Sequence, residues 1–349
     1  MDRNIEVKFF SEKEQSSSEY KALLASFYNN PNAWEIRKQR MEHYSYFGDF
    51  RLVVAKLDGV LMGQASAYKV NAVIYGKEEP LYWGCDTFLL PQSRGLGMGK
   101  KLQKILHEEC PNFSSAWYSP INGIIKRKCG ASELMSLKFT YYPVSNFWGM
   151  MFQLASTKVF NRKISIKPIF GRIYYYLNKG FRVNKISNYE VSKLTFNDIN
   201  YELSNFMESA LQKYDFHIKR DLNFLKWAYG WKKDSYDMYI FKKSGKIEAM
   251  VSYSQVHNCN FVVSSVPGVS ILDLVISPSC GLKEKDLLLF VIEQCKRDHK
   301  HIECVIALQD IPYFMKFTYP RPSVPLLSTF GKKVNKGYIS LIDQDMDQI

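Results

Sequence analysis

The chemistry-bearing stretch of this chain runs from Asp86 to Cys110. It reads Asp-Thr-Phe-Leu-Leu-Pro-Gln-Ser, then Arg-Gly-Leu-Gly-Met-Gly-Lys-Lys, then Leu-Gln-Lys-Ile-Leu-His-Glu-Glu-Cys. That order is an apolar strand, a glycine-rich turn and an amphipathic helix. Gly95, Gly97 and Gly99 crowd the point where the helix begins. Glycine lets main-chain N–H groups approach a ligand with no Cβ in the way. A helix start adds unpaired N–H donors and the positive end of the dipole. Together they form a seat for a diphosphate. Two other glycine signatures fit worse. A dinucleotide fingerprint needs Gly-x-Gly-x-x-Gly after an opening strand, and a kinase-type phosphate loop needs Gly-Lys-Ser/Thr. Here several strands precede the turn, and Gly99 is followed by Lys100 and Lys101.

The elements that must position this turn are visible in the hydropathy pattern. Residues 4–10 alternate as a strand, and 17–29 and 31–44 read as helices, with Pro31 suited to the first position of the second. Phe50–Leu57, Asp58-Gly59 and Val60–Val70 form a hairpin signal. A further strand pair is expected through 73–75 and 81–90. After the turn, Leu102, Ile105 and Leu106 recur at helical spacing. A strand at 115–118 and a helix at 121–128 follow, with Gly130 as its C-cap. The segment 134–154 reads as two strands. Beyond residue 190 a second unit shows a helix at 222–231, a hairpin over 238–253 turning at Ser244-Gly245, a strand at 271–276, a helix at 285–297 and a strand at 302–308.

With 349 residues the chain has room for about two domains, and its 46% apolar and 15% aromatic content suffices for a core. No apolar run approaches the length of a spanning helix, and Met1-Asp2-Arg3-Asn4 opens no signal peptide, so a cytoplasmic protein is expected. The seven cysteines are scattered and read as reduced thiols. The six histidines show no metal-ligand spacing; His299 and His301 sit in a polar surface stretch. The formal charge of +13 favours polyanions, anionic surfaces or phosphorylated ligands without choosing among them.

An internal repeat is expected. Asp86 precedes Pro91 by five residues, and Asp273 precedes Pro278 by five. Each Asp lies in an apolar strand, and each Pro is followed by a loop and an apolar helix ending at Cys110 or Cys295. The second loop, Ser277–Leu282, keeps one glycine and lacks the arginine. Glu284 and Asp286 occupy the following helix start, where they would repel a diphosphate.

Arg94-Gly95-Leu96-Gly97-Met98-Gly99 resembles the Arg/Gln-x-x-Gly-x-Gly/Ala signature of the GNAT superfamily of acyl-CoA-dependent acyltransferases. The flanking elements fit over residues 1 to about 153; the second half is similar only in outline. The resemblance implies a mixed α/β (α+β) fold of two GNAT-like domains, with mostly antiparallel strands and flanking helices in each. The divisions expected are a catalytic domain at 1–154, a connector at 155–188 and a degenerate domain at 189–349. It implies acetyl-CoA (acyl-CoA) as co-substrate. The pyrophosphate would be cradled by Arg94, Gly95, Leu96, Gly97, Met98, Gly99 and Lys100, and the pantetheine arm would pair with Phe88, Leu89 and Leu90. Asn122 matches a position that contacts the cofactor, with a plain N-cap as the alternative. The chemistry implied is direct attack of an amine on a thioester. Asp86 is the candidate base, or else a structural acid satisfied by backbone donors. The family's acid, a Tyr four residues before the helix-ending Gly, is replaced by Lys126, which makes Tyr118 the substitute candidate.

Between Glu133 and Glu190 lie nine Lys or Arg and no Asp or Glu, among many aromatics. Such a segment suits single-stranded nucleic acid, an anionic membrane surface or a phosphorylated acceptor, or simply interdomain packing. The leading expectation is acyl transfer to a primary amine such as an amino sugar. The alternatives are a non-catalytic scaffold that binds nucleic acid, membrane or a partner, and a peptide or protein N-acetyltransferase.

Overall fold

In the computed structural model the described residues are 4–116, 118–144, 186–231, 235–256, 268–298, 302, 304–308, 310–312, 316–330 and 334–340. In chain order the elements are β1 Ile5–Phe9, α1 Glu12–Gln15, α2 Ser18–Tyr28, α3 Ala33–Tyr44, β2 Phe50–Leu57, β3 Val60–Ile74 and β4 Lys77–Leu89. Next come α4 Met98–Glu109, β5 Phe113–Ser115, α5 Pro120–Lys128, β6 Ser132–Pro143, β7 Glu190–Leu194, α6 Tyr201–Leu211, β8 Phe216–Ile218 and α7 Leu222–Gly230. The chain continues through β9 Tyr236–Lys243, β10 Lys246–Val256, β11 Gly268–Ile276, α8 Glu284–Asp298, β12 Cys304–Ala307, β13 Phe317–Ser328 and β14 Gly337–Tyr338.

Local chemistry explains the boundaries. Ser17 caps α2 and Ser119 caps α5, each accepting from the amide three residues on. Pro31 lies before α3, whose N-cap is Asn32. The turns Asp58-Gly59, Tyr75-Gly76 and Ser244-Gly245 all have both central residues at positive φ, the twist that hairpins favour. The expected break near residue 71 is absent: β3 runs unbroken to Ile74 and turns at Tyr75-Gly76. Of the two strands expected over 134–154, the described part is one, β6. The connector at 155–188 lies outside the described residues except for its last three, as do His299 and His301.

Contacts gather the chain into two units, neither of which is one continuous stretch. The first comprises Met1–Ser136, Asp215–Lys219 and Val324–Gly337; the second comprises Leu137–Tyr214, Arg220–Ser323 and Tyr338–Ile349. The expected division at residue 154 is contiguous, whereas these contact-defined units interleave along the chain. In the first unit the strand order is β1-β2-β3-β4-β5, and Leu327 and Ser328 of β13 pair antiparallel with β5. β8 adds to the far end of β3. In the second unit the order is β7-β9-β10-β11-β12, and residues 140–143 of β6 pair antiparallel with β12. Each unit therefore has four antiparallel strands, a fifth that is parallel to the fourth, and an antiparallel sixth taken from the other half of the sequence. The matching order bears out the internal repeat, with a swap that spacing alone does not show.

The first unit buries both faces of its sheet. Leu52, Val54 and Phe88 pack with Tyr20 and Leu24 of α2. Val53, Ala55, Ala65 and Ala67 pack with Met98, Leu102 and Leu106 of α4. Adjacent residues of β2 thus serve opposite faces, which is why the strand reads as a continuous apolar run.

Residues 1–154 expressed alone lack the strand that covers β5 and the 215–219 segment that covers β3. We expect this fragment to be aggregated or to lack a cooperative thermal transition by circular dichroism, whereas the full chain melts cooperatively. A monomeric fragment with the full chain's transition would contradict the strand assignment.

Candidate functional site

Residues 94–100, where the sequence predicts a diphosphate seat, form an open turn. β4 ends at Leu89, Leu90 caps a single 3-10 turn at Pro91–Ser93, and Gly97 is the N-cap of α4 with no side-chain capping bond. Gly95 and Gly97 have φ of 81° and 77°, a region that side-chain-bearing residues enter only under strain. A Cβ on either would meet nothing within 4 Å, so the space beside them is empty. Gly99 has a different reason: a Cβ there would come 3.3 Å from Ile125 Cδ1 and 3.4 Å from Leu89 Cδ1. Among the described residues, the N–H groups of Gly95, Leu96, Gly97, Met98 and Gly99 donate to no protein acceptor, whereas those of Lys100 and Lys101 both donate to Gly97 O. Arg94 and Lys100 are exposed at the rim. The Met98 side chain is fully buried in the core, and Leu96 packs against the same cluster. These residues can meet a ligand only through their main chains.

The strand leading into the turn has an open edge. Among the described residues β4 pairs with β5 only at Tyr82↔Phe113 and Trp83↔Ser114. Leu90 N–H donates to Met62 O on β3 at 2.8 Å, so by alternation Leu89 turns its peptide groups away from β3. The Leu89 carbonyl there accepts from Arg94 Nε at 3.4 Å. The side chains of Phe88 and Leu90 are buried, with Phe88 stacked on Phe27 at 3.7 Å.

A β-bulge lies at the point of divergence. Gln64 opposes Phe88 while Ser66 opposes Cys85, so β4 carries one residue more than β3. Asp86 sits in the bulge with φ of 43°. Its carboxylate forms an ion pair with Arg37 of α3, and Arg40 Nη1 lies 3.9 Å from its other oxygen. The side chains of Arg37 and Asp86 are 1% and 9% exposed. Arg37 Nη2 also donates to Ser66 Oγ at 3.3 Å, and Ser66 Oγ donates to Cys85 O at 3.0 Å. Gln64 Nε2 donates to Asp86 O at 3.2 Å and its Oε1 accepts from Tyr20 at 2.7 Å. The expected base is thus committed to a guanidinium.

The other face of the bulge is held from α4 and α5. Gln103 Nε2 donates to Thr87 Oγ1 at 3.4 Å, and its Oε1 accepts from Lys126 Nζ at 2.9 Å. Tyr118, expected as the acid, donates its hydroxyl to Pro325 O at 2.7 Å and packs its ring on Gly123. Burial pushes the phenol up to about 12. Asn122 is not the N-cap of α5; Ser119 is, and it accepts from Asn122 N. The Asn122 side chain is half-buried on the first turn. Arg37 and Lys126 escaped the sequence reading as partners of the bulge. The signal was a cation on a buried helical stripe: Ala33, Arg37, Met41 and Tyr44 on α3, and Gly123 and Lys126 on α5. Among the described residues no cluster of three metal-ligating side chains exists. No described helix is long and apolar enough to cross a membrane.

The second unit repeats the bulge without the seat. Ser252 opposes Asp273 while Tyr253 opposes Ile271, so β11 carries the extra residue. Asp273 is fully buried. It accepts from Arg220 Nη2 at 3.1 Å, from Tyr338 at 3.0 Å, from Ser340 at 2.7 Å and from Tyr229 at 3.2 Å. The turn amides, however, are taken. Gly281 N–H donates to the Tyr189 hydroxyl at 3.1 Å, Leu282 N–H to Cys280 Sγ at 3.4 Å and Lys283 N–H to Asp286 Oδ2 at 2.9 Å.

No family model and no curated protein matches this sequence. The fold does match solved structures. One is a conserved protein of unknown function from Enterococcus faecalis V583, described as a probable N-acyltransferase. It aligns at a TM-score of 0.58 and 13% identity over 94% of this chain and 72% of its own. Another is a GCN5-related N-acetyltransferase from Anabaena variabilis, with a TM-score of 0.58 and 12% identity over 93% and 72%. A tandem GNAT protein from the clavulanic acid biosynthesis pathway aligns at 0.51 and 10% identity over 93% of this chain and 98% of its own. The chain has the fold of the GNAT superfamily, a mixed α/β architecture in two units, as the glycine motif implied.

Asp86→Asn keeps the shape and the tolerance for positive φ but strands a buried guanidinium. We expect a loss of about 3–5 kcal/mol in urea denaturation. The double variant Asp86→Asn/Arg37→Met should lose less than the two single changes summed. Additive losses, or a single variant of unchanged midpoint, would contradict the clamp.

Proposed function

We propose that the first unit binds an acyl-CoA, acetyl-CoA in the first instance, and transfers its acyl group to a small primary amine such as an amino sugar. The observation that carries this reading is the row of five unpaired turn amides at the start of α4, beside a strand edge left open where β4 departs from β5. The amides and the helix dipole suit a diphosphate, and Arg94 and Lys100 add charge at its rim. The Leu89 N–H, turned away from β3, suits the amide-bearing pantetheine arm. A thioester carried along that edge reaches the bulge at Asp86 and Thr87. There a peptide N–H of the open edge is the donor for the tetrahedral oxyanion.

In this reading Asp86 is a positioning residue. Its ion pair with Arg37 fixes the bulge, and the matching Arg220–Asp273 pair stands beside a turn whose amides are occupied. An aspartate that keeps its arginine where the coenzyme seat is blocked serves the strand's shape. Tyr118, with its proton on the Pro325 carbonyl, is a strut between α5 and the strand beside it. The second unit is a non-binding copy, because Tyr189, Cys280 and Asp286 fill its amides. The likeness to structures named as N-acetyltransferases supports acyl transfer at the level of fold. The amino-sugar acceptor rests on the family resemblance alone.

Isothermal titration with acetyl-CoA tests the reading. We expect saturable binding by the full chain, and its loss in Gly97→Val, where a β-branched residue would have to sit at positive φ on the helix cap. Wild-type protein that gives no heat of binding, or Gly97→Val with unchanged affinity, would remove the acyl-CoA site.

A further inference from the structure

The α3 face of the first unit holds a cavity that the acyl-transfer reading does not use. Its volume is about 890 Å³, room for a whole organic ligand and not just for an ion. The end of β1 and α1 form one wall. The outer stripe of α3 forms another, with Trp34, Lys38, Met41 and Glu42. Arg37 and Tyr44 lie on a different stripe of the same helix, turned to Asp86 and Tyr68 of the sheet. The floor is the start of β2, residues 48–52. This is not the coenzyme seat. Leu89 is level with Gly63 on β3, and Gly63 with Ala55 on β2. The cavity meets β2 at Phe50, five residues or about 16 Å along the strand from Ala55.

The lining selects a type of ligand. Apolar surface is open within it: Phe9 is 36% exposed, and Trp34 and Phe50 are half-buried. A sheet edge is also uncovered. Phe10 N–H donates to Leu52 O at 2.8 Å, and the chain then leaves β2 for α1. On the other side of β2, Asp49 O accepts from Lys69 N–H of β3 at 3.0 Å. By alternation Phe50 directs its N–H and C=O to the side that β1 has left.

The charge completes the pattern. The lining carries Glu12, Glu14, Glu42 and Asp49 against Lys38 and Arg51, in a chain of net charge +13. Glu14 is engaged by Lys8 at 2.8 Å and Asp49 by Arg51 at 2.6 Å. Lys38 Nζ stands 3.9 Å from the carboxylate of Glu42, which is 66% exposed. Among the described residues the Glu12 carboxylate, in the first turn of α1, has no ion pair and no hydrogen-bond donor. Four carboxylates thus face three cations.

We propose that this cavity binds an organic ammonium ion with an aromatic or aliphatic body. The ammonium supplies the charge that Glu12 and the loosely paired Glu42 lack, and the Phe50 carbonyl offers it a further acceptor. The body packs on Phe9, Trp34 and Phe50. An anionic ligand would meet the surplus carboxylate. A bare inorganic cation would leave the aromatic surface in water. The site does not depend on acyl-CoA. Its occupant touches α3, the helix that holds Asp86 through Arg37.

The test titrates the full chain, without coenzyme, with phenethylamine by isothermal calorimetry. Phenethyl alcohol and hydrocinnamate are the neutral and anionic counterparts. The variants are Glu12→Gln/Glu42→Gln and Phe9→Ala, with thermal transitions by circular dichroism to confirm that they fold. We expect saturable binding of the amine at one site, binding of the alcohol weaker by about tenfold or more, and none of hydrocinnamate. The charge variant should weaken the amine by roughly 5- to 10-fold and leave the alcohol unchanged. Phe9→Ala should weaken amine and alcohol alike, by about fivefold. Added salt should weaken the amine only. Wild type that does not bind the amine would overturn the proposal, as would alcohol or hydrocinnamate binding as tightly as the amine. Amine affinity unchanged in Glu12→Gln/Glu42→Gln would place the ligand elsewhere and overturn it as well. The acyl-CoA reading fails separately, by the absence of a calorimetric signal with acetyl-CoA.

Discussion

The geometry of this protein depends on one strand leaving its neighbour. Among the described residues β4 and β5 do not pair beyond Trp83 and Ser114, and strands that stop pairing leave peptide groups to be satisfied elsewhere. Such an opening closes, twists away or fills with another chain unless something fixes it. Here the fixing element is the Arg37–Asp86 ion pair, buried on one face of a bulge that bends β4. The cost of holding two charges away from water is met by their mutual attraction and by the hydrogen bonds to Ser66. Removing either charge leaves the other stranded. The glycine turn lies downstream of that bend, so its amides are aimed only if the bulge is in place.

The two units show which parts of this arrangement are separable. Both have the arginine, the aspartate and the extra residue in the fourth strand. Only the first has vacant turn amides. In the second, a tyrosine hydroxyl, a thiol and a carboxylate occupy the donors that a diphosphate would need. Glycines at 95 and 97 matter for a related reason. They admit positive φ with nothing beside them, so the first turn stays open while the second is filled by its own side chains. The bend is thus common to both units, and the open turn is what distinguishes the first from the second.

Much of this was legible in the sequence, and the exceptions have physical causes. The strand–turn–helix unit and the repeat of Asp86 and Asp273 could be read because hydropathy and glycine spacing are local signals. The turn at Tyr75-Gly76 was hidden because a tyrosine at positive φ carries no turn signature, unlike Asp58-Gly59. Helix α6, Tyr201–Leu211, was passed over although Asn200 caps it. The swapped sixth strands leave no local trace at all, since they depend on which edge of which unit a strand meets. The partner of Arg37 is not legible for the same reason, nor is the Gln103 contact of Lys126, a residue the sequence offers only as the one standing at the family's acid position. A charged residue on a buried helical stripe announces burial, but its partner lies on another element that spacing cannot locate.

Those two cations also mark a difference between the faces of the bulge. Arg37 has an acid beside it, and the pair is electrically complete, so it can hold shape but has little to give to a reaction. Among the described residues Lys126 has an amide and an aromatic ring beside it and no carboxylate within ion-pair reach, so burial favours the neutral amine. A cation paired with a carboxylate resists titration, while one desolvated without a counter-charge approaches neutrality at physiological pH. The same strand irregularity thus carries a rigid charge pair on the α3 face and a labile proton on the α5 face.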